Sequence, residues 1–327
     1  MNMRQFLNCR ARVAALMLVG SLAWGAHAAD FPSKAITLVI PFTPGGLTDI
    51  LARRIAPVLA AKYKVPVIVE NKPGAGGTIG VSAVVAAQPD GHTLLIHSNA
   101  ITTEPALKKD LPYNAETDLV PISKLVALPM VILVNAQLKA DTLSEFIAYA
   151  KANPAKLNFG SSGSGSFTHF GAELFRSMAA INMVHVPYKG GAPSWQALMG
   201  GEIQMLADPI SSAKKLADSK KVRGLALAAP RRSEYWPELP TAAEAGLPGY
   251  EADLWLGLYA PAKTPPGLAS DIHAAFRQAL QEPEVNAWLK QQGFGMVAST
   301  PDGFRASNTA EIRRWAELVR ANSIKAD

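Results

Sequence analysis

Serine and glycine crowd residues 160–166, the run Gly160-Ser161-Ser162-Gly163-Ser164-Gly165-Ser166, which directly follows a short apolar stretch. A serine on such a strand-to-helix turn is where α/β hydrolases hold their nucleophile. The G-x-S-x-G spacing is absent, because Ser164 stands where the second glycine would follow Ser162. A secreted α/β serine hydrolase using Ser162 or Ser164, His169 or His185, and an acid such as Asp208 is permitted by residue type, but nothing in the spacing specifies it. Metal chemistry has less to stand on. The histidines His27, His92, His97, His169, His185 and His273 form no H-E-x-x-H and have no close carboxylate pattern, so no metal site is expected. The run Gly74-Ala75-Gly76-Gly77-Thr78-Ile79-Gly80 fails as a dinucleotide fingerprint, since Ile79 occupies the third glycine position, and no phosphate-binding G-x-x-x-x-G-K-[ST] loop is present. No cofactor is expected.

Four glycine-rich or polar loops remain. They are residues 41–46 with Phe42, Thr43, Gly45 and Gly46, then Ser98-Asn99, then residues 162–166 with Ser162, Gly163 and Ser166, and Tyr188-Lys189-Gly190-Gly191. Each follows an apolar run read as a strand, and in open α/β sheets ligands bind outside the carboxyl ends of strands. The first and third lead into helices whose opening N–H groups have no intrahelical partner, and glycine lets an anion approach them. Such a pair suits a carboxylate. Asp49 reads as a capping or helix-dipole residue. Asp208, ending an apolar run, reads equally as a turn residue or as an acceptor for a ligand amine or hydroxyl.

The elements that must carry these loops follow from apolar patterning. Short β-branched runs at residues 36–40, 65–69 and 93–97 read as buried strands, alternating with helical patterns over residues 51–59 and 79–87. A second set of strands is expected at residues 157–161, 183–186, 203–207 and 222–228, with helices at residues 167–178 and 194–199. Thr142-Leu143-Ser144-Glu145 has the form of a capping box and opens a further helix. Between the two sets lies the long apolar segment 120–134; after the second come a connection rich in Pro, Gly and Glu over residues 231–250, one more strand at 254–259, and three helical stretches ending at Asn322. Alternating strand and helix predicts an α/β protein with mostly parallel sheets flanked by helices.

With 327 residues, 49% hydrophobic and only 18% charged, the chain has material for about two globular domains and too little charge for disorder. Residues 1–12 carry Arg4, Arg10 and Arg12 without an acid, and the apolar run that follows is too short to span a bilayer. Ala26-His27-Ala28 then supplies small residues at −3 and −1, which predicts a signal peptide cleaved after Ala28. The sole cysteine, Cys9, leaves with it, removing disulfides and thiol chemistry together. Losing three arginines lowers the formal net charge from +6 to +3, scattered rather than striped, and no nucleic acid is expected.

Several motifs occur in one order along the chain: Pro41-Phe42-Thr43-Pro44-Gly45-Gly46-Leu47-Thr48-Asp49, Val69-Glu70-Asn71-Lys72-Pro73-Gly74-Ala75-Gly76-Gly77, Pro89-Asp90-Gly91-His92-Thr93-Leu94, Val186-Pro187-Tyr188-Lys189-Gly190-Gly191-Ala192-Pro193 and Pro240-Thr241-Ala242-Ala243-Glu244-Ala245-Gly246. Together they resemble the Bug family, periplasmic solute-binding receptors of tripartite tricarboxylate transporters, over residues 31–322. The resemblance implies a two-domain periplasmic-binding-protein clamshell, type II-like, whose chain crosses between domains twice. It places a signal peptide at 1–28, the first domain at 29–128 and 251–327, and the second at 129–250. It further implies a monomeric periplasmic binding protein rather than an enzyme, a small carboxylate as ligand and membrane permease subunits as partners. The family's ligand loops fall on Phe42, Thr43, Gly45 and Gly46 and, from the second domain, on Ser162, Gly163, Ser166, Thr168 and His169, with Phe42 lining the pocket. Ser98, Asn99, Tyr188 and Asp208 complete the expected set. Leu47, Trp195 and Pro209 depart from the family pattern, the last two toward the far end of the pocket.

Overall fold

The computed structural model describes residues 31–108, 110–322 and 324, so the expected signal peptide and its cleavage point lie outside the described residues. The chain begins with β1 (Ile36–Ile40), α1 (Leu47–Tyr63), β2 (Val67–Asn71), α2 (Thr78–Val85), β3 (Thr93–Ser98) and α3 (Ala100–Leu107). β4 (Leu119–Asn135) follows and leads to α4 (Leu143–Ala152), β5 (Asn158–Ser161), α5 (Phe167–Met178), β6 (Val184–Pro187), α6 (Gly191–Gly200), β7 (Met205–Pro209), α7 (Ile210–Asp218) and β8 (Val222–Leu227). The return is made by β9 (Asp253–Pro261), α8 (Pro266–Gln281), α9 (Pro283–Gln291), β10 (Gly295–Met296) and α10 (Pro301–Asn322).

The long apolar segment is a single strand of 17 residues. Its first part pairs antiparallel with β9, from Leu119 opposite Pro261 to Pro129 opposite Asp253. From Met130 onward it pairs instead with β7 and β8. β4 thus belongs to two sheets, which explains an apolar run with no alternation: both faces are covered along its length. β9 recrosses beside it, where Met130 N–H donates to Ala252 O at 3.0 Å and Ala228 N–H to Met130 O at 2.8 Å. These paired strands form the junction of two domains.

Each sheet contains the expected parallel trio, β2-β1-β3 in one and β7-β5-β6 in the other. The crossing strands add antiparallel pairs, so each sheet is mixed rather than mostly parallel. Strand sense then decides where the loops go. β3 is antiparallel to β9 and β9 to β4, so the first trio runs with β4; β7 is antiparallel to β4, so the second trio runs against it. The carboxyl ends of the two trios consequently face each other across the crossing, and all four candidate loops lie at those ends.

One core continues beneath the crossing, joining Leu38, Ile96 and Leu256 of the first sheet to Val131, Leu206 and Leu227 of the second. α10 is laid across both domains: Phe304 packs on Trp255 and Tyr259, while Trp315 packs edge-on against Phe170 of α5 at 5.2 Å. The capping box at Thr142 is present, with Glu145 N–H donating to Thr142 Oγ1 at 3.2 Å. Among the described residues no helix is long and apolar enough to cross a membrane.

Candidate functional site

The loop after β1 is held from below by a buried carboxylate. Asp49, 2% exposed in the first turn of α1, accepts from Gly45 N–H at 2.9 Å and from Asn71 Nδ2 at 2.9 Å. Arg53, one helical turn on, donates Nε to both carboxylate oxygens at 3.1 Å, and its Nη2 donates to Asn71 Oδ1 at 2.9 Å. Asn71 Nδ2 also donates to Phe42 O at 3.1 Å. Burial alone would push the Asp49 carboxyl up, but the hydrogen bonds from Arg53, Gly45 and Asn71 outweigh it and hold the group below the usual carboxylate range. Asp49 therefore positions the loop and is itself saturated. Above it Thr43, Gly45 and Gly46 are exposed, and Gly45 sits at φ 87, where a side chain is strained. Gly46 is the N-cap of α1 in extended conformation, with no side-chain cap, so the leading N–H groups of the helix are left for another acceptor. The Phe42 ring lies edge-on to buried His97 at 5.1 Å.

The partner loop after β5 is held by a hydroxyl cluster. Ser162 N–H donates to Thr168 Oγ1 at 2.8 Å, and the same oxygen lies 2.9 Å from Ser162 Oγ and 3.0 Å from Ser166 Oγ. Ser166 caps α5 by accepting from His169 N–H at 3.3 Å. Gly163 is at φ 135 and Gly165 at φ 74, conformations that glycine alone takes without strain. His169 lies behind this loop, 5% exposed, with Nδ1 accepting from Gly165 N–H at 3.0 Å. The neutral ring then carries its proton on Nε2, which faces Glu173 3.8 Å away. The Tyr188 loop is zipped to this one by Tyr188 N–H to Ser161 O at 3.1 Å and Gly190 N–H to Ser162 O at 3.2 Å.

Three expected residues are engaged within the protein itself. Asn99 is buried and ties β3 to the returning strand, its N–H donating to Trp255 O at 3.1 Å, while Ser98 Oγ takes Ala100 N–H at 3.4 Å. Asp208 is 3% exposed, and both of its oxygens are engaged, one by Trp195 Nε1 at 2.8 Å and the other by Ser212 Oγ. Burial raises its carboxyl to about 6 against the hydrogen bonds of Ser212 and Trp195. Trp195, a departure from the family pattern, thus holds Asp208 together with Ser212.

Sequence reasoning had not singled out Arg53, Asn71 or Ser212. The i,i+4 spacing of Asp49 and Arg53 was the one available signal, since Asn71 comes from the next strand. Ser161 was missed as well: it is fully buried, with Oγ 2.7 Å from His185 Nε2, and His185 stacks on His169 at 3.8 Å. A serine with no exposure cannot reach a substrate carbonyl, and Asp208 contacts Trp195 and Ser212 rather than a histidine. Asp208, the acid expected for a hydrolase, is thus committed elsewhere. Among the described residues no group of three His, Cys, Asp or Glu suits a metal.

Neither loop carries Lys or Arg, so what they offer is N–H groups, hydroxyls and two helix starts, an arrangement suited to a small anion. Residues 51–324 match the model of the tripartite tricarboxylate transporter family receptor, TctC. BugT of Bordetella pertussis is 35% identical over 329 residues, covering 99% of both chains. The structure of Rpa4515 of R. palustris with adipate is similar with a TM-score of 0.72 and 32% identity, covering 90% of this chain and 99% of that one. MatC of Rhodopseudomonas palustris with bound malate gives a TM-score of 0.69 and 33% identity, covering 88% and 100%. This chain belongs to the family whose model it matches over most of its length, the tripartite tricarboxylate transporter family receptors.

Proposed function

We propose that this protein captures a small carboxylate between its two domains and delivers it to the membrane permease subunits of a tripartite tricarboxylate transporter. The observation that carries the reading is the opposition of two glycine-rich, cation-free loops at facing strand ends, each leading into a helix start. A carboxylate bound there takes N–H groups from the first loop and N–H groups and hydroxyls from the second, and so bridges the domains. Phe42 and Tyr188 border the remainder of the ligand. Ser98, Asn99 and Asp208 act from behind, through the backbone and Trp195. The adipate and malate bound by relatives support a carboxylate as the class.

In this reading residues 29–128 and 251–327 form one jaw and residues 129–250 the other, with α10 lying over both, and the protein works as an exported monomer cleaved after Ala28. A melting-temperature screen against mono-, di- and tricarboxylates tests it, because a ligand that binds only the folded state raises apparent stability. At least one dicarboxylate should raise the midpoint reversibly and in proportion to the logarithm of its concentration. A panel in which no carboxylate does so refutes the reading. Export is checked separately by the intact mass of the periplasmic protein, which should begin at Ala29.

A further inference from the structure

A cavity of about 550 Å³ lies at the domain junction, between the crossing strands and α10, within the roughly 300–1,000 Å³ of small-molecule sites. None of the expected ligand residues lines it. Its walls come from both domains, Lys124 and Ala127 of β4 on one side and Ala228 and Arg231 after β8 on the other, with Ala310 and Arg314 of α10 as the roof. Apolar surface continues to its rim at Met296 and Val297, which are 39% and 43% exposed.

Most of the charges inside are paired. Lys124 is satisfied by Asp253 at 3.1 Å and Glu311 at 3.6 Å, and Glu311 also takes Trp255 Nε1 at 2.9 Å. Arg232 is bound to Glu244 at 2.9 Å. Asp253 and Glu311 are therefore engaged, Glu311 also feeling the charge of Arg314, while Glu251, exposed at the rim, has no ion pair among the described residues. Arg314 stacks its guanidinium over Trp315 at 4.5 Å, yet its Nε is buried without a hydrogen-bond partner among the described residues. A buried charged donor left unbonded is costly and calls for an acceptor. Arg231 has no acidic partner within ion-pair distance among the described residues.

We infer that this cavity binds an amphipathic organic anion, an apolar chain ending in one carboxylate, with Arg314 and Arg231 on the carboxylate and the Ala127, Ala228 and Met296 surface on the chain. The occupant touches both domains where they are joined, on a surface separate from the loops of the facing strand ends, and the inference does not depend on what those loops take. Octanoate is the probe. Calorimetric titration of the full chain should show a site that octanol, lacking the charge, fills at least 10-fold more weakly. Ala310→Phe, which fills the cavity from an exposed helix position, and Arg314→Met, which keeps an unbranched stem over Trp315, should each weaken octanoate at least 10-fold, with folding confirmed by circular dichroism and urea midpoint. Gly163→Val, which disturbs the loop after β5, should leave octanoate binding within about 2-fold. Absence of octanoate binding to the unaltered protein, binding that survives Ala310→Phe, or binding abolished by Gly163→Val overturns the inference. Should Arg314→Met fail to fold, Ala310→Phe and the octanol comparison decide alone.

Discussion

Asp49 makes opposite demands on an anion site, and their sizes can be compared. Its carboxylate fixes Gly45 N–H at 2.9 Å, a hydrogen bond to a charged group of the kind that contributes about 1.5–3 kcal/mol. It also places a negative charge beneath the loop expected to receive a carboxylate. For unit charges about 10 Å apart at an effective dielectric of about 20 that repulsion is about 1.7 kcal/mol, and the Arg53 guanidinium paired with Asp49 offsets most of it. Positioning should win. Asp49→Ala is expected to weaken the tightest-binding dicarboxylate of the screen by about 10- to 100-fold, if the loss of loop order is carried into binding. Asp49→Asn keeps an acceptor for Gly45 and removes the charge, and should cost less than about 10-fold. Calorimetry on both variants, each shown to be folded by its urea midpoint, decides the matter. An Asp49→Ala protein that is folded and binds within about 2-fold of the unaltered chain refutes the argument that this carboxylate positions the loop.

Gly45→Val and Gly163→Val, at φ 87 and 135, should each reduce dicarboxylate affinity by about 10-fold or more while Lys189→Met costs less than about 3-fold; titration showing the reverse order would replace backbone recognition with a salt bridge. Asp208 has its carboxyl raised from 3.8 to about 6, so the unfolded state ionises first and the group's contribution, about 3 kcal/mol, is complete below pH 3.8 and lost as pH rises through about 6. Urea unfolding should accordingly show the stability of the unaltered protein falling relative to Asp208→Asn between about pH 4 and 6 and level above; a constant difference would contradict it. Small-angle scattering should record a smaller radius of gyration at saturating dicarboxylate, and an unchanged radius would exclude domain closure.

What could be read from the sequence is the material each parallel trio is made of: β-branched runs such as Ile36-Thr37-Leu38-Val39-Ile40, bounded by glycine and proline, leave few alternatives to a buried strand. The extent of β4 could not be read. Pro121 and Pro129 interrupt it, and only tertiary pairing on both edges tells a strand that passes between sheets from two shorter ones. α3 and α7 went unmarked for a different reason. Pro105 sits within α3, and Thr102 and Thr103 bond back to Asn99 O and Ala100 O, so its local signals resemble a turn. In the site, the glycine loops were legible because positive φ selects glycine. Their supports were not, since Asn71 and Trp195 reach Asp49 and Asp208 from other elements. Of the two glycines expected in the first loop, Gly45 and not Gly46 has the left-handed backbone.

The position of β9 bears on how the protein is made. It lies between β3 and β4, pairing Leu95 with Tyr259 and Leu119 with Pro261, although the entire second domain separates it from both along the chain. The second domain can assemble from nearly contiguous sequence. The first must hold a gap open until the return segment arrives, and such long-range closure is slow. Until then β3 and β4 each present an unpaired, hydrophobic edge, the kind of edge along which chains join. The chain is therefore most open to aggregation when everything up to Tyr250 has emerged and nothing beyond it has.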